Sequence, residues 1–207
     1  MELARLILNL GNAGVRRDIA DPYQMHSTLA RAFAPDSHSA PDKFLWRLED
    51  SRPDQPPMLL VQSESGGRWQ DFERDNPAWI LRRDCRNWEP ATVLLPDMTV
   101  QFRIRCNPTV TRAGKRLGLW TENEQRAWLG RQGDQHGLVD LALSRVTSQR
   151  LVGQRRKGAG HQVVVCAVQF EGTAKVADAV ALANAVRNGI GHAKMMGLGL
   201  ISLAPLA

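Results

Sequence analysis

Two side chains able to move protons, Tyr23 and His26, stand three residues apart in Asp21-Pro22-Tyr23-Gln24-Met25-His26. Proline suits the first helical position and aspartate the cap before it. Tyr23, His26, Leu29, Ala30 and Phe33 follow at helical spacing, which predicts a helix from about Pro22 to Ala34. Residues three apart share a helix face, so both rings point the same way. An imidazole ordinarily titrates near ~6.5 and can give or take a proton at neutral pH. A phenol ordinarily titrates near ~10 and is a poor base unless cations lower that value. The same pattern also suits an aromatic ring and a satisfied histidine packed along a core edge. The residues alone leave both readings open.

Three further segments carry charge or unusual backbone. Gly189-Ile190-Gly191-His192-Ala193-Lys194-Met195-Met196-Gly197-Leu198-Gly199 joins a predicted helix to a predicted strand. Glycine permits positive φ and close approach, so such a loop can bring several N–H groups to a phosphate. It is no dinucleotide fingerprint, because it ends a helix instead of opening one. Gly114-Lys115-Arg116 lacks the upstream glycine and the Ser or Thr of a nucleotide-binding P-loop. Gln154-Arg155-Arg156-Lys157-Gly158-Ala159-Gly160-His161 is a basic turn between two predicted strands. Arg103-Ile104-Arg105-Cys106-Asn107-Pro108 alternates apolar and basic residues, which puts both arginines on one face, and Arg112, Lys115 and Arg116 continue the charge. A solvated hairpin tip and a bland basic sheet face are the alternatives for these clusters.

The chain of 207 residues has room for one large domain or two small ones. A hydrophobic content of 43% is that of a soluble globular protein. A formal net charge of +6 favours an anionic partner, nucleic acid or a membrane surface. No apolar run approaches the roughly 18–20 residues of a membrane span, and Met1 to Leu10 lacks the basic start and long apolar core of a signal peptide. Cys85, Cys106 and Cys166 are isolated and odd in number, which fits a reducing cytosol without a disulfide framework. No paired Cys or His spacing suggests zinc, and no metal or cofactor is expected. His38, His136 and His161 have no partner pattern.

The elements that must position these residues divide into two halves. In the first, Leu3 to Leu10 is a buried strand, Asn9 to Asp18 reads as polar turn, and the Pro22 helix follows. Lys43 to Glu49, Met58 to Gln62 and Trp79 to Arg83 read as strands, giving β-α-β-β with a ragged end. Pro90 and Pro96 flank a connection. The second half has a strand at Val100 to Cys106, a helix from about Glu122 to Gln135, an extended segment at Leu138 to Leu151 and a strand at Gln162 to Phe170. A helix over Lys175 to Arg187 and a strand over Leu198 to Leu203 finish it.

The glycine loop followed by Leu200-Ile201-Ser202-Leu203-Ala204-Pro205 resembles the signature of the CRISPR-associated RNA-processing endoribonucleases, CasE type, of type I-E systems. Tyr23-x-x-His26-x-x-Leu29-x-x-Ala32-Phe33 resembles their catalytic helix, and Arg105-x-Asn107-Pro108 a strand end with a basic continuation. Methionines stand at 195 and 196 where the family has Ala and an aromatic, and His192 where it has Arg or Lys.

The resemblance implies an α+β fold of two tandem ferredoxin-like (RRM-like) domains with a cleft between them, 1–92 and 97–207. It implies a metal-independent endoribonuclease that cuts precursor CRISPR RNA at repeat stem-loops and retains the mature guide. His26 would be the general acid and Tyr23 the group that orients or deprotonates the 2′-hydroxyl. Arg103, Arg105, Arg112, Lys115, Arg116, Arg155, Arg156, Lys157, Gly189, Gly191 and Lys194 would contact RNA. The implied partners are the repeat stem-loop and other subunits of an interference complex, with no membrane. The alternative is a subunit of that complex that binds RNA, or serves structurally, without cutting.

Overall fold

In a computed structural model, residues 1–34, 36, 39–50, 54–155 and 161–206 are described, without the side chains of Arg155 and His161. The chain divides into two units. The first holds Met1–Trp88, Val152–Val163 and Met195–Gly197, and the second the remaining segments Glu89–Leu151, Val164–Lys194 and Leu198–Ala207.

The first unit runs β1 (Glu2–Leu8), α1 (Ala13–Ala20), α2 (Pro22–Ala30), β2 (Phe44–Leu48), β3 (Met58–Ser63), α3 (Trp69–Asp75) and β4 (Ile80–Asn87). Its four strands form an antiparallel sheet in the order β2-β3-β1-β4. Sequential strands that leave the centre for opposite edges in this way define the split βαββαβ pattern of a ferredoxin-like fold. Leu6 and Leu8 of β1, Leu59 and Val61 of β3 and Met25 and Leu29 of α2 are buried together. A row of rings continues the core. Phe44 stacks on Phe33 at 4.6 Å, Phe33 meets Trp69 edge-on at 5.6 Å, Trp69 meets Phe72, and Phe72 meets Trp79 at 5.4 Å. Each such pair adds about 0.5–1.5 kcal/mol beyond its buried area.

Two elements here depart from expectation. The segment read as polar turn contains α1. Asn12 caps it, its Oδ1 accepting from the backbone N–H of Gly14 at 2.8 Å and of Val15 at 3.3 Å. Its only buried residues are Val15 and Asp18, so no apolar stripe marks it. Asp18 is buried because it has partners: Trp79 Nε1 donates to it at 3.0 Å, and Arg17 pairs with it at 2.7 Å. The ragged end resolves into α3 and an eight-residue β4, which pairs with β1 but exposes arginines on its free face.

The second unit follows a four-residue α4 (Pro90–Val93) with β5 (Thr99–Cys106), β6 (Thr109–Arg112), β7 (Lys115–Gly118), α5 (Glu122–Gln135), β8 (Leu138–Arg155), β9 (His161–Val176), α6 (Ala179–Asn188) and β10 (Ile201–Pro205). The sheet order β10-β5-β9-β8 repeats the ferredoxin-like pattern. The far ends of the long strands β8 and β9 group with the first unit. Val100, Phe102, Ile104 and Cys106 of β5 are buried with Val168 and Phe170 of β9 and Leu182 and Val186 of α6. The predicted helix at Lys175 begins instead at Ala179. Asp178 caps it there, accepting from Val180 and Ala181 at 2.9 Å, while Lys175 and Val176 complete β9. The last strand is shifted to Ile201–Pro205, and the β6–β7 hairpin was not anticipated.

Candidate active site

Asp21 sets the start of α2 and does more than cap it. Its Oδ1 accepts from the backbone N–H of Tyr23 at 3.0 Å and from that of Gln154, near the end of β8, at 3.2 Å. One carboxylate oxygen therefore ties the helix N-terminus to a strand more than a hundred residues later. The strand's backbone also closes on the tyrosine. A Cβ built on Gly153 would lie 2.6 Å from Tyr23 Cδ2, 2.8 Å from Cε2 and 3.1 Å from Met196 Cε. Only glycine lets β8 approach the ring this closely.

One turn further along α2, His26 stacks on Phe44 with centroids 4.8 Å apart and planes 16° from parallel. Its Nδ1 is buried without a hydrogen-bond partner among the described residues. Burial holds the imidazole below its ordinary pKa. With Nδ1 buried, Nε2 is the ring nitrogen left to meet a ligand. Burial takes water from the charged ring at greater cost than from the neutral one, so the imidazolium is disfavoured. Tyr23 and His26 are both half-buried, so one side of each ring rests on the core while the other stays within reach of solvent.

Trp46 of β2 shares the strand face of Phe44 and is buried in the same core. Gly197, at φ +75°, packs against it, and a Cβ there would sit 2.6 Å from the indole. The glycine segment thus contributes Met196 and Gly197 to the first unit.

The rest of the glycine segment belongs to the second unit and is largely self-bonded. Gly189 N donates to Ala185 O at 2.8 Å, Ile190 N to Gly199 O at 2.9 Å and Gly199 N to Arg105 O at 2.7 Å. Lys194 Nζ donates to Gly191 O at 2.9 Å. These amides and this ammonium shape the loop before they could meet any ligand. Burial, then the charges of Arg116 and Lys194, lower the exposed His192.

The remaining expected site residues fall into two sets. Arg103 pairs with Glu171 at 3.2 Å, and Arg105 Nη2 donates to Gln149 Oε1 at 2.6 Å, across the open face of the second sheet. Arg112, Lys115 and Arg116 are exposed on the β6–β7 hairpin. Arg156 and Lys157 lie outside the described residues, and Arg155 is described by its backbone alone, two positions after Gly153. Reading the sequence overlooked Gly153, Phe44, Trp46 and the second contact of Asp21. Gly153 alone left a trace, as a glycine just past the extended segment expected to end at Leu151.

Residues 1–205 match the family described as CRISPR associated protein. CRISPR-associated endoribonuclease Cse3 of Thermus thermophilus is 35% identical over 216 residues, covering 99% of this chain and all of the relative. The CRISPR system Cascade subunit CasE of Escherichia coli is 31% identical over 200 residues, 90% of this chain and 93% of that protein. The structure of Thermus thermophilus Cse3 bound to an RNA representing a pre-cleavage complex superposes with a TM-score of 0.80 at 33% identity, covering 99% of this chain and 98% of the other.

Proposed function

The chain belongs to the family of CRISPR-associated proteins, in its CasE branch, and we propose that it is a metal-independent endoribonuclease that cuts precursor CRISPR RNA beside each repeat stem-loop. RNA carries its own nucleophile. The 2′-oxygen attacks the adjacent phosphorus, the P–O5′ bond breaks, the 2′ proton leaves to a base and the 5′-oxygen takes a proton from an acid. The products are a 2′,3′-cyclic phosphate and a 5′-hydroxyl. The observation that carries this reading is His26, whose buried Nδ1 leaves Nε2 to meet RNA, so that the imidazolium can give its Nε2 proton to the 5′-oxygen and end neutral with Nδ1–H. His26 is the acid toward the 5′-oxygen. Tyr23, held against Gly153, orients or deprotonates the 2′-hydroxyl. The arginines and lysines named above take phosphates, which sets affinity more than sequence choice. In chain order, residues 1–92 carry the catalytic helix and 97–207 the basic hairpin and glycine loop, with Val152–Val163 and Met195–Gly197 grouping with the first unit.

The Escherichia coli relative is named as a Cascade subunit, which supports a second role for this chain. It keeps the cut guide RNA and joins the other subunits of a type I-E interference complex. A cytoplasmic location suits that partner. Among the described residues no helix is long and apolar enough to cross a membrane.

The test is incubation of the purified protein with a repeat RNA in EDTA and analysis of the ends. A 2′,3′-cyclic phosphate and a 5′-hydroxyl are expected, and a 2′-deoxy substitution at the cut site blocks cutting while binding persists. Binding without cutting by the wild-type protein would leave an RNA-binding subunit and remove the enzyme.

A further inference from the structure

Trp120 stands apart from the other large rings of the chain. It is 55% exposed, whereas Trp46, Trp69, Trp79 and Trp128 are each 6% exposed or less. An indole carries so much apolar surface that leaving it in water forgoes a large burial gain. Its backbone is nevertheless held on both sides. Leu119, buried, donates its N–H to Pro108 O at 3.0 Å and accepts from Gln125 Nε2 at 3.1 Å. Thr121 caps α5, its hydroxyl accepting from Glu124 N at 3.4 Å. The ring itself lies along β7, and a Cβ on Gly118 would come within 3.3 Å of its Nε1.

That position has a charge to go with it. Arg116 and Gly118 lie two apart on β7, so they share a face of the hairpin, and the indole rests on that face. Thr109 to Trp120 contains Arg112, Lys115 and Arg116 and no carboxylate. The first acids beyond it are occupied: Glu122 pairs with Arg126, and Glu124 accepts from Thr121. Arg116 also lies near enough to His192 to act on its charge, as does Lys194, so the positive potential extends from the hairpin to the glycine loop. The Ala113–Gly114 turn has φ +47° and +73°, the primed geometry that matches strand twist and keeps a short hairpin in shape.

We infer that Trp120 is a stacking platform for an unpaired ribonucleotide, with Arg116 placed for that nucleotide's phosphate. The inference rests on the RNA-handling function proposed above and adds to it a site for single-stranded RNA flanking the stem. A flat aromatic face bordered by cations on one side suits a base with its attached phosphate, since every base offers a π-face and every nucleotide one negative charge. A protein partner would need apolar or acidic groups to meet the same surface.

The test compares Trp120→Ala, Trp120→Phe and Arg116→Ala in the full chain, first checked by thermal melting for intact folding. The probes are a uridine oligomer and the repeat stem-loop trimmed of unpaired nucleotides. Trp120→Ala weakens binding of the oligomer by about 5–150-fold without changing its salt dependence. Trp120→Phe keeps most of the affinity but loses the tryptophan fluorescence quenching seen on binding. Arg116→Ala lowers the slope of log K against log salt by about 0.7. Trimmed stem-loop binding is insensitive to residue 120. Equal oligomer binding by wild type and Trp120→Ala overturns the inference while wild-type cutting still stands. A Trp120→Ala protein that binds RNA normally yet fails to join other complex subunits makes the patch a protein interface, which also overturns it. Failure of the wild type to bind or cut any RNA removes the enzyme reading itself.

Discussion

Around His26 the surroundings are hydrocarbon and stacked rings; around Arg116 they are solvent and other cations. A histidine sits in each setting. His26 is lowered by burial alone, and His192 by burial and then by Arg116 and Lys194. In the first case one ring nitrogen is buried without a partner among the described residues, which leaves the other to meet a ligand. In the second it has gathered positive charge that an incoming phosphate would relieve. One region is arranged for chemistry on a single proton. The other is arranged for attraction, which needs many charges and little geometry.

The largest expected effect tests the first region. His26→Ala should lower the single-turnover cutting rate by roughly 10²–10⁴ while RNA affinity changes little. A wild-type rate in that variant would break the contrast. The pH profile sharpens it. An acid must be protonated, so activity falls as pH rises through its pKa. Because burial lowers that pKa in the free protein, the kcat/KM limb should have its midpoint below about 6.5, and the neighbouring phosphate should move the kcat limb higher. A rate that rises with pH across this window would make His26 the base.

Next in size is Gly153→Ala. A methyl group 2.6 Å from the Tyr23 ring must displace it, and a misplacement of about 1 Å can cost up to roughly 10²-fold in rate. Against this, replacing Arg155, Arg156 and Lys157 with alanine should leave a weaker complex with a flatter salt dependence, the slope falling by about one per lost phosphate contact. An unchanged slope returns that turn to plain solvated surface.

Asp21→Ala removes a cap worth about 0.5–2 kcal/mol and frees Gln154 as well, so melting should fall by several degrees. The smallest effect belongs to Gly130→Ala in α5. Nothing lies within 4 Å of a Cβ there, so the change should be neutral or stabilise by up to about 1 kcal/mol. Equal damage at 130 and 153 would mean that the contact with Tyr23 is not what makes Gly153 necessary.

Helix α5 was legible to the residue, because Thr121 caps it and Trp128 and Leu129 mark its buried side. The start of the Tyr23 helix was legible for the same kind of reason, with Asp21 and Pro22 before Met25 and Leu29, but the helix ends at Ala30 and not at the expected Ala34. Helix α1 was not, because its key buried residue is an aspartate whose partner, Trp79, lies sixty-one positions away. The β6–β7 hairpin was hidden by exposure: eight successive residues, Thr111 to Gly118, face solvent, so no alternation betrays the strands. Of the proposed site, Tyr23 and His26 could be read from the sequence as candidates. What packs against them comes from Phe44 and Gly153, and no local pattern announces contacts that close over such separations.

The seat of Gly197 against Trp46 also bears on synthesis. The sheet of the first unit is encoded within its opening 88 residues, but its covering is drawn from two much later stretches. A ribosome must therefore polymerise through Gly197 before the indole of Trp46 can be sealed, and a nascent chain shorter than that carries the acid helix without its lining. Chains ending before residue 195 should therefore be inert toward repeat RNA.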